Sequence, residues 1–250
     1  YDTNGQFNGL AEGSTDTDSF SYTITDPFNQ TDTATVNIII ENPASATLVD
    51  SFSVTSQEGF PRGVTFNDTG SRMFVVGSTS DSVTQYNLGT NFDISTATFS
   101  GNAFDAGSQS SGTTGVTFND TGSRMFVIGT GSDSVHQYNL GTNFDITTAS
   151  FTSSFDVSSE DGNPQGVTFS TNGLRMFVVG RQNDSVYQYN LGTNFDVSTA
   201  SFSGNSFDVS SEASSPTGVT FNDTGSRMFV TGANSDSVYQ YDLSTNFDLS

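Results

Sequence analysis

The stretch "FNDTGSRMFVVG" at 66–77 returns as "FNDTGSRMFVIG" at 118–129 and as "FNDTGSRMFVTG" at 221–232, with a divergent copy, "FSTNGLRMFVVG", at 169–180. The register extends well beyond these residues. Gly63, Gly115, Gly166 and Gly218 lie 52, 51 and 52 positions apart, and Arg72, Arg124, Arg175 and Arg227 keep the same intervals. A fixed period of this length means one structural unit used four times.

Each unit holds four strand-like segments. In the first, "GVTF" (63–66) passes through the turn "NDTG" to "RMFVVG" (72–77), then through "STSD" to "SVTQYNL" (82–88), and through "GTNFDIS" to "TATFSGNAFDA" (96–106). Asn and Asp bond local backbone in a tight reversal, and Gly accepts the positive φ. Along "MFVV", Met73 and Val75 point one way and Phe74 and Val76 the other, so this strand must be covered on both faces. Apolar residues are only 32% of the chain, but they include 23 Phe and 8 Tyr, and each buried ring removes roughly 150–250 Å² from water. No stretch carries a helical apolar period. The chain reads as all-β, and four-stranded units stacked face to face are β-propeller blades. A parallel β-helix would use shorter coils, and a helical solenoid would need Leu and Ala at helical spacing.

The segment "TLVDSFSVTSQ" (47–57) resembles the fourth-strand segments but precedes the first "GVTF", while the last copy stops after its third strand. The predicted architecture is therefore a closed ring of four blades over 44–250. Its repeats are 57–107, 108–159, 160–210 and 211–250, with 47–56 closing the last blade and removing two sheet edges. A larger ring, or one shared by two chains, is the alternative.

The string "FNDTGSRMFVVG…DSVTQYNLGTNFDISTATF" resembles the bacterial surface-protein propeller repeats related to the YVTN family, over about 47–250, although Pro is missing from its hairpin. Ahead of it, "SFSYTIT" and "TATVNIII" alternate around "DPFNQ", as a hairpin does. Residues 1–43 resemble the C-terminal half of a cadherin-like or VCBS-type Ig-fold repeat of large bacterial adhesins, with Glu41-Asn42-Pro43 as linker. Together the resemblances imply an extracellular adhesion or binding module of a secreted or surface protein.

Charge narrows the partners. There are 27 acidic residues against six Arg and no Lys, a net charge of −21. This excludes nucleic acid as a partner and disfavours anionic membrane surfaces. No run is apolar enough to insert in a membrane, and without cysteine no disulfide is available. No nucleophile elbow, zinc-binding or phosphate-loop motif is present, so no catalytic residue is assigned and a non-enzymatic module is expected. His136 occupies a position held by Thr84, Tyr187 and Tyr239 in the other copies and reads as an ordinary strand residue.

Comparison of the copies with one another locates the variation. The second-to-third turns ("STSD", "TGSD", "RQND", "ANSD") and the connections between blades ("SQEGFPRG", "AGSQSSGTTG", "SSEDGNPQG", "SSEASSPTG") drift most, and both emerge on one side of a propeller. Loops on a rigid scaffold are the usual site of recognition. Phe60, Arg62, Arg181 and Asn183 are the candidate ligand contacts there, for a glycan or a protein. Asp81, Asp133, Asp184 and Asp236 recur before the third strand. They read either as turn residues bonding backbone amides or as a ring of carboxylates for Ca²⁺, with Glu160 and Glu212. A further Ca²⁺ reading falls on Asp16 and Asp18 with Asp26 or Asp32. The repeated Arg beside Asp68, Asp120 and Asp223 suggests local surface pairing. A self-associating spacer or filament subunit is the alternative function, and a propeller glycoside hydrolase the third.

Overall fold

In the computed structural model, which describes residues 15–41 and 48–250, the chain divides into two units, Tyr1–Asp50 and Ser51–Ser250. In the first, β1 (Thr15–Thr25) and β2 (Thr31–Glu41) form one antiparallel hairpin, with Phe20 opposite Val36 and Tyr22 opposite Ala34. Asp26 organises the turn: its Oδ1 accepts from the Phe28 and Gln30 amides, both at 2.8 Å. The face carrying Phe20, Tyr22 and Ile24 is exposed. These two strands are the only sheet of this unit among the described residues, so the expected Ig-like sandwich is not shown. Residues 1–14 and 42–47, including Asn42 and Pro43 of the expected linker, lie outside the described residues.

The second unit is a four-bladed β-propeller. The first sheet comprises β3 (Pro61–Phe66), β4 (Arg72–Gly77), β5 (Ser82–Leu88) and β6 (Ala97–Asp105). The second comprises β7 (Thr113–Phe118), β8 (Arg124–Gly129), β9 (Ser134–Leu140) and β10 (Ala149–Asp156). The third comprises β11 (Pro164–Phe169), β12 (Arg175–Gly180), β13 (Ser185–Leu191) and β14 (Ala200–Asp208). The last has three strands, β15 (Pro216–Phe221), β16 (Arg227–Gly232) and β17 (Ser237–Asp242). All neighbours within a sheet are antiparallel.

Alternation along each second strand generates the stacking. Phe74, Val76 and Val83 of the first blade pack against Val116, Met125, Val127 and Tyr138 of the second. The same contact recurs between the second and third blades and between the third and fourth. Near the axis the inner strands meet at their glycines: a Cβ on Gly63 would lie 3.3 Å from Gly115 Cα, and one on Gly115 would lie 3.3 Å from Gly166 Cα. Gly166 meets Gly218 in the same way.

The repeated "NDTG" turn has a tertiary role as well as a local one. Gly70 sits at φ +70°, and the Phe92 ring lies where its Cβ would be. The Phe92 amide donates to the Gly70 carbonyl at 2.8 Å. Asn67 holds the turn, its Oδ1 accepting from the Arg72 amide at 2.8 Å.

Closure differs from expectation. Residues 48–54 form no strand, and β17 has no fourth-strand partner. Phe52 and Val54 instead pack against Met73, Val75 and Tyr86 of the first blade. The Phe52–Tyr86 ring pair, 5.4 Å and 78° apart, matches Phe104–Tyr138 at 4.9 Å and 73°. The segment thus has the fourth strand's relation to the blade that follows, but is not paired with the last blade. Val64 and Val238, on the first and last blades, are 60% and 67% exposed. Their counterparts Val116 and Val135 are 7% and 0% exposed. A Cβ on Gly218 would meet only the Thr231 hydroxyl within 4 Å, so the glycine contact of the three internal junctions is not repeated between Gly218 and Gly63.

Candidate functional site: the axial cavity and its loop rim

The inner strands converge on a cavity of about 350 Å³, within the size range of small-ligand sites. Arg62, Thr114, Gln165 and Thr217 line it, one from each blade, each immediately before a Gly-Val-Thr motif. The scaffold around them repeats while this position runs Arg, Thr, Gln, Thr, which is the signal in the sequence that reading the loops alone passes over. Gln165 Nε2 donates to Asn163 Oδ1 at 2.6 Å, and Thr114 Oγ1 donates to the Pro164 carbonyl at 3.2 Å. Thr217 and Thr231 hydroxyls are 2.9 Å apart. The lining offers a guanidinium, a carboxamide and hydroxyls over an apolar floor of Val64, Val116, Val167 and Val219.

Of the residues singled out in the sequence, Phe60 and Arg62 are brought together: the guanidinium carbon lies 5.8 Å from the ring centroid, and Phe60 is 64% exposed. Arg181 and Asn183 sit on the second-to-third turn of the third blade. Asn183 is committed to that blade's own loop, donating from Nδ2 to the Glu160 carbonyl at 2.9 Å. The Arg181 amide donates to the Asn163 carbonyl at 3.0 Å.

Two buried carboxylates, not singled out in the sequence, fasten the loop rim. Glu58, 1% exposed, accepts from the Phe60 amide at 2.7 Å, the Thr79 amide at 3.1 Å and the Ser80 hydroxyl at 2.7 Å. Burial alone would raise its pKa, but these donors outweigh it and hold the carboxyl below its ordinary value. Asp161 repeats the arrangement in the third blade, accepting from the amides of Asn163 at 2.8 Å and Asn183 at 3.0 Å. Ser110 and Ala213 stand at the corresponding positions of the other two blades.

The four repeated Asp occupy left-handed turn positions, Asp81 at φ 49° and Asp133 at φ 46°. Asp81 Oδ1 accepts from the Thr113 amide at 3.1 Å and Asp184 Oδ1 from the Ser215 amide at 2.9 Å, each on the next blade. Glu160 and Glu212 accept from the hydroxyls of Tyr189 and Tyr241, at 3.1 and 3.4 Å. Burial, with Glu212 beside it, pushes the Tyr241 phenol up to about 12. Among the described residues no group of three His, Cys, Asp or Glu side chains lies together as a metal site requires. His136 is buried, its Nε2 2.8 Å from Ser132 Oγ, and burial lowers its pKa.

The expectation for the repeated Arg is corrected. Neither Arg72 nor Arg124 pairs with its hairpin Asp, and Arg175 has Thr171 in place of one. They reach across to the next blade and donate to the carbonyls of Phe144, Phe195 and Phe247. Arg227, on the last of the described blades, takes a neighbour on its own sheet, Asp242 at 3.3 Å.

No family model matches the chain, and no curated protein matches it. Among solved structures, a functionally unknown protein from Desulfotomaculum acetoxidans aligns with a TM-score of 0.53 at 14% identity, over 90% of this chain and 68% of that one. A putative 6-phosphogluconolactonase from Bacteroides uniformis gives 0.54 at 13%, over 90% and 60%. Another from Bacteroides fragilis gives 0.53 at 13%, with the same coverage. The chain therefore spans about 60% of the length of these two. At such identities the likeness establishes the propeller fold and nothing finer. It overturns one expectation, that the chain is not an enzyme: the fold is shared with proteins described as lactonases. The missing nucleophile and metal motifs therefore carry no weight against catalysis. The YVTN, cadherin and VCBS resemblances gain no family match, and adhesion draws no support from these comparisons. Among the described residues no helix is long and apolar enough to cross a membrane.

Proposed function

We propose that the propeller binds a carbohydrate in the axial cavity, with Arg62, Thr114, Gln165 and Thr217 as its polar contacts and Phe60 at the rim. The observation that carries this is that Arg62 and Gln165 break the match with Thr114 and Thr217 at four positions related by the blade repeat. A rigid scaffold repeats around a lining that does not, which suits an asymmetric ligand with several hydroxyls. An exposed aromatic ring beside a guanidinium adds an apolar face and a donor for a sugar ring. The partner is a free or surface glycan met outside the cell, where salt and divalent cations screen a charge of −21.

The test is calorimetric titration with a panel of mono- and oligosaccharides, with and without Ca²⁺. Sugar lactones are included and followed for hydrolysis, since two similar folds are described as lactonases. Arg62→Ala and Gln165→Ala are expected to weaken the best ligand about tenfold or more, roughly 1.4 kcal/mol. Binding unchanged in both variants, or a wild-type chain that takes no saccharide, overturns the proposal.

A further inference from the structure

Two departures from the repeat coincide in the second blade. In the first blade the buried Glu58 carboxylate accepts from both polar groups of Ser80, its amide at 3.1 Å and its hydroxyl at 2.7 Å. In the third, Asp161 accepts from the amide of the matching residue, Asn183, at 3.0 Å. The second blade has Ser110 where those carboxylates stand and Ser132 in the place of Ser80. Its third strand also carries His136, where the other blades have Thr84, Tyr187 and Tyr239.

The two departures meet. With no carboxylate to take it, the Ser132 hydroxyl lies 2.8 Å from His136 Nε2. Strand pairing fixes the imidazole, since His136 stands opposite Val127 on β8 and Ser154 on β10. It is 5% exposed, and burial lowers its pKa, which keeps the ring neutral and able to act as a base at pH 7. Nδ1 is buried without a partner among the described residues. With the ring proton there, Nε2 accepts from the serine. Ser132 itself is only partly buried. Its amide lacks the carboxylate that accepts from the Ser80 and Asn183 amides. The fourth blade does not repeat the pair: Ser235 Oγ donates to the Gly232 carbonyl at 3.4 Å, and the strand residue is Tyr239.

We propose that Ser132 and His136 form a nucleophile–base pair that takes acyl groups from small neutral esters. As Ser132 Oγ bonds to the carbonyl carbon, its proton passes to His136 Nε2. The ester C–O bond then breaks, and the departing alcohol carries that proton away. Water attacks the acyl-serine in turn and gives a proton to Nε2. The Ser132 oxygen takes that proton back as the carboxylic acid leaves. The Ser132 amide is the donor for the oxyanion, a negative oxygen being what the same amide position holds in the first and third blades. Neutral esters are favoured because the charges of Asp156 and Asp161 already act on neighbouring Asp133, and an anionic ester would meet the same repulsion. Ser110, Ser132 and His136 do not line the axial cavity, so this site stands or falls apart from the saccharide reading.

The test is incubation of the full chain with p-nitrophenyl acetate, read by p-nitrophenolate release and by peptide mass spectrometry. Acetylation confined to Ser132 is expected. Ser132→Ala and His136→Tyr should each slow release about a hundredfold or more, with the circular dichroism spectrum unchanged. Tyr already occupies the His136 position in two blades, so the second variant keeps a side chain this strand accepts. Ser110→Glu leaves both reacting residues in place but restores the first blade's carboxylate, and it should suppress acetylation by engaging the Ser132 amide and hydroxyl. Ser235→Ala should match wild type. Release no faster than in buffer, acetyl groups spread over surface hydroxyls, or an undiminished rate in any of the first three variants would overturn the inference.

Discussion

Arg124 Nη1 stands 2.7 Å from the main-chain oxygen of Phe195, 71 residues away and on the next blade. It is also 2.8 Å from the Asn194 carbonyl. A guanidinium shared between two carbonyls at a turn satisfies acceptors that strand pairing leaves out, and it ties consecutive blades at their rim. Removing it leaves those acceptors without their charged donor. Arg124→Ala is expected to destabilise the chain by about 1.5–3 kcal/mol, the range for hydrogen bonds to charged groups. Arg227→Ala should cost about 0–1 kcal/mol, because its side-chain partner among the described residues is an exposed carboxylate. Urea unfolding of both variants decides. Equal losses would mean that the repeated Arg acts within its own blade.

Gly122 and Gly101 separate two effects of adding a methyl group. Both have positive φ, +67° and +88°. At Gly122 the new Cβ would enter the Phe144 ring, whereas at Gly101 nothing lies within 4 Å. Gly101→Ala should therefore show only the backbone cost, about 1 kcal/mol. Gly122→Ala should add the displacement of a packed ring and reach about 2–3 kcal/mol. Thermal or urea midpoints that fall equally in the two variants would remove the ring from the account.

Glu58 couples the loop rim to pH. Its folded pKa lies below the unfolded value of about 4.3. Its contribution to stability is therefore full above that value and lost as pH falls through the folded pKa. Glu58→Gln should be less stable than wild type by about 1–3 kcal/mol at pH 7, since a charged acceptor of several donors is replaced. The gap should narrow below about pH 4. A pH-independent gap would show that volume and shape, not charge, hold this loop.

The inner three strands of each blade were legible because "GVTF", "RMFVVG" and "SVTQYNL" carry alternation, turn chemistry and period together. The both-faced burial of Met73 to Val76 follows from the same four letters. The function of Arg72 was not legible, since a sequence shows Asp68 four residues away but not Phe144. Closure was misread for a related reason. Segment 47–57 does resemble a fourth strand, and Phe52 does fill that ring position, but its side chains pack on the first blade and it pairs with no strand of the last. The departure of Arg62 and Gln165 from Thr114 and Thr217 was visible in the copies, although only the fold shows that their positions share an axis.

Asp133 differs from its counterparts for a reason the repeat itself supplies. Asp81 receives the Thr113 amide and Asp184, which faces Pro216, takes the Ser215 amide instead; Asp133 faces Pro164, which has no N–H to give, and the preceding Asn163 amide is already given to Asp161. Asp133 Oδ1 is buried without a partner among the described residues. Its pKa is raised by burial first and then by Asp156 and Asp161. A carboxyl with a raised folded pKa stabilises the fold fully only below its unfolded value of about 3.9, and that contribution is lost as pH rises through the folded pKa. Asn carries no charge and tolerates the left-handed φ of 46° found here. Asp133→Asn should therefore be more stable than wild type at pH 7, by on the order of 0.5 kcal/mol. The advantage should shrink as the wild-type carboxyl takes up its proton toward pH 4. Urea midpoints at the two pH values give the answer, and a variant weaker than wild type at pH 7 would mean that Asp133 has a donor in solution.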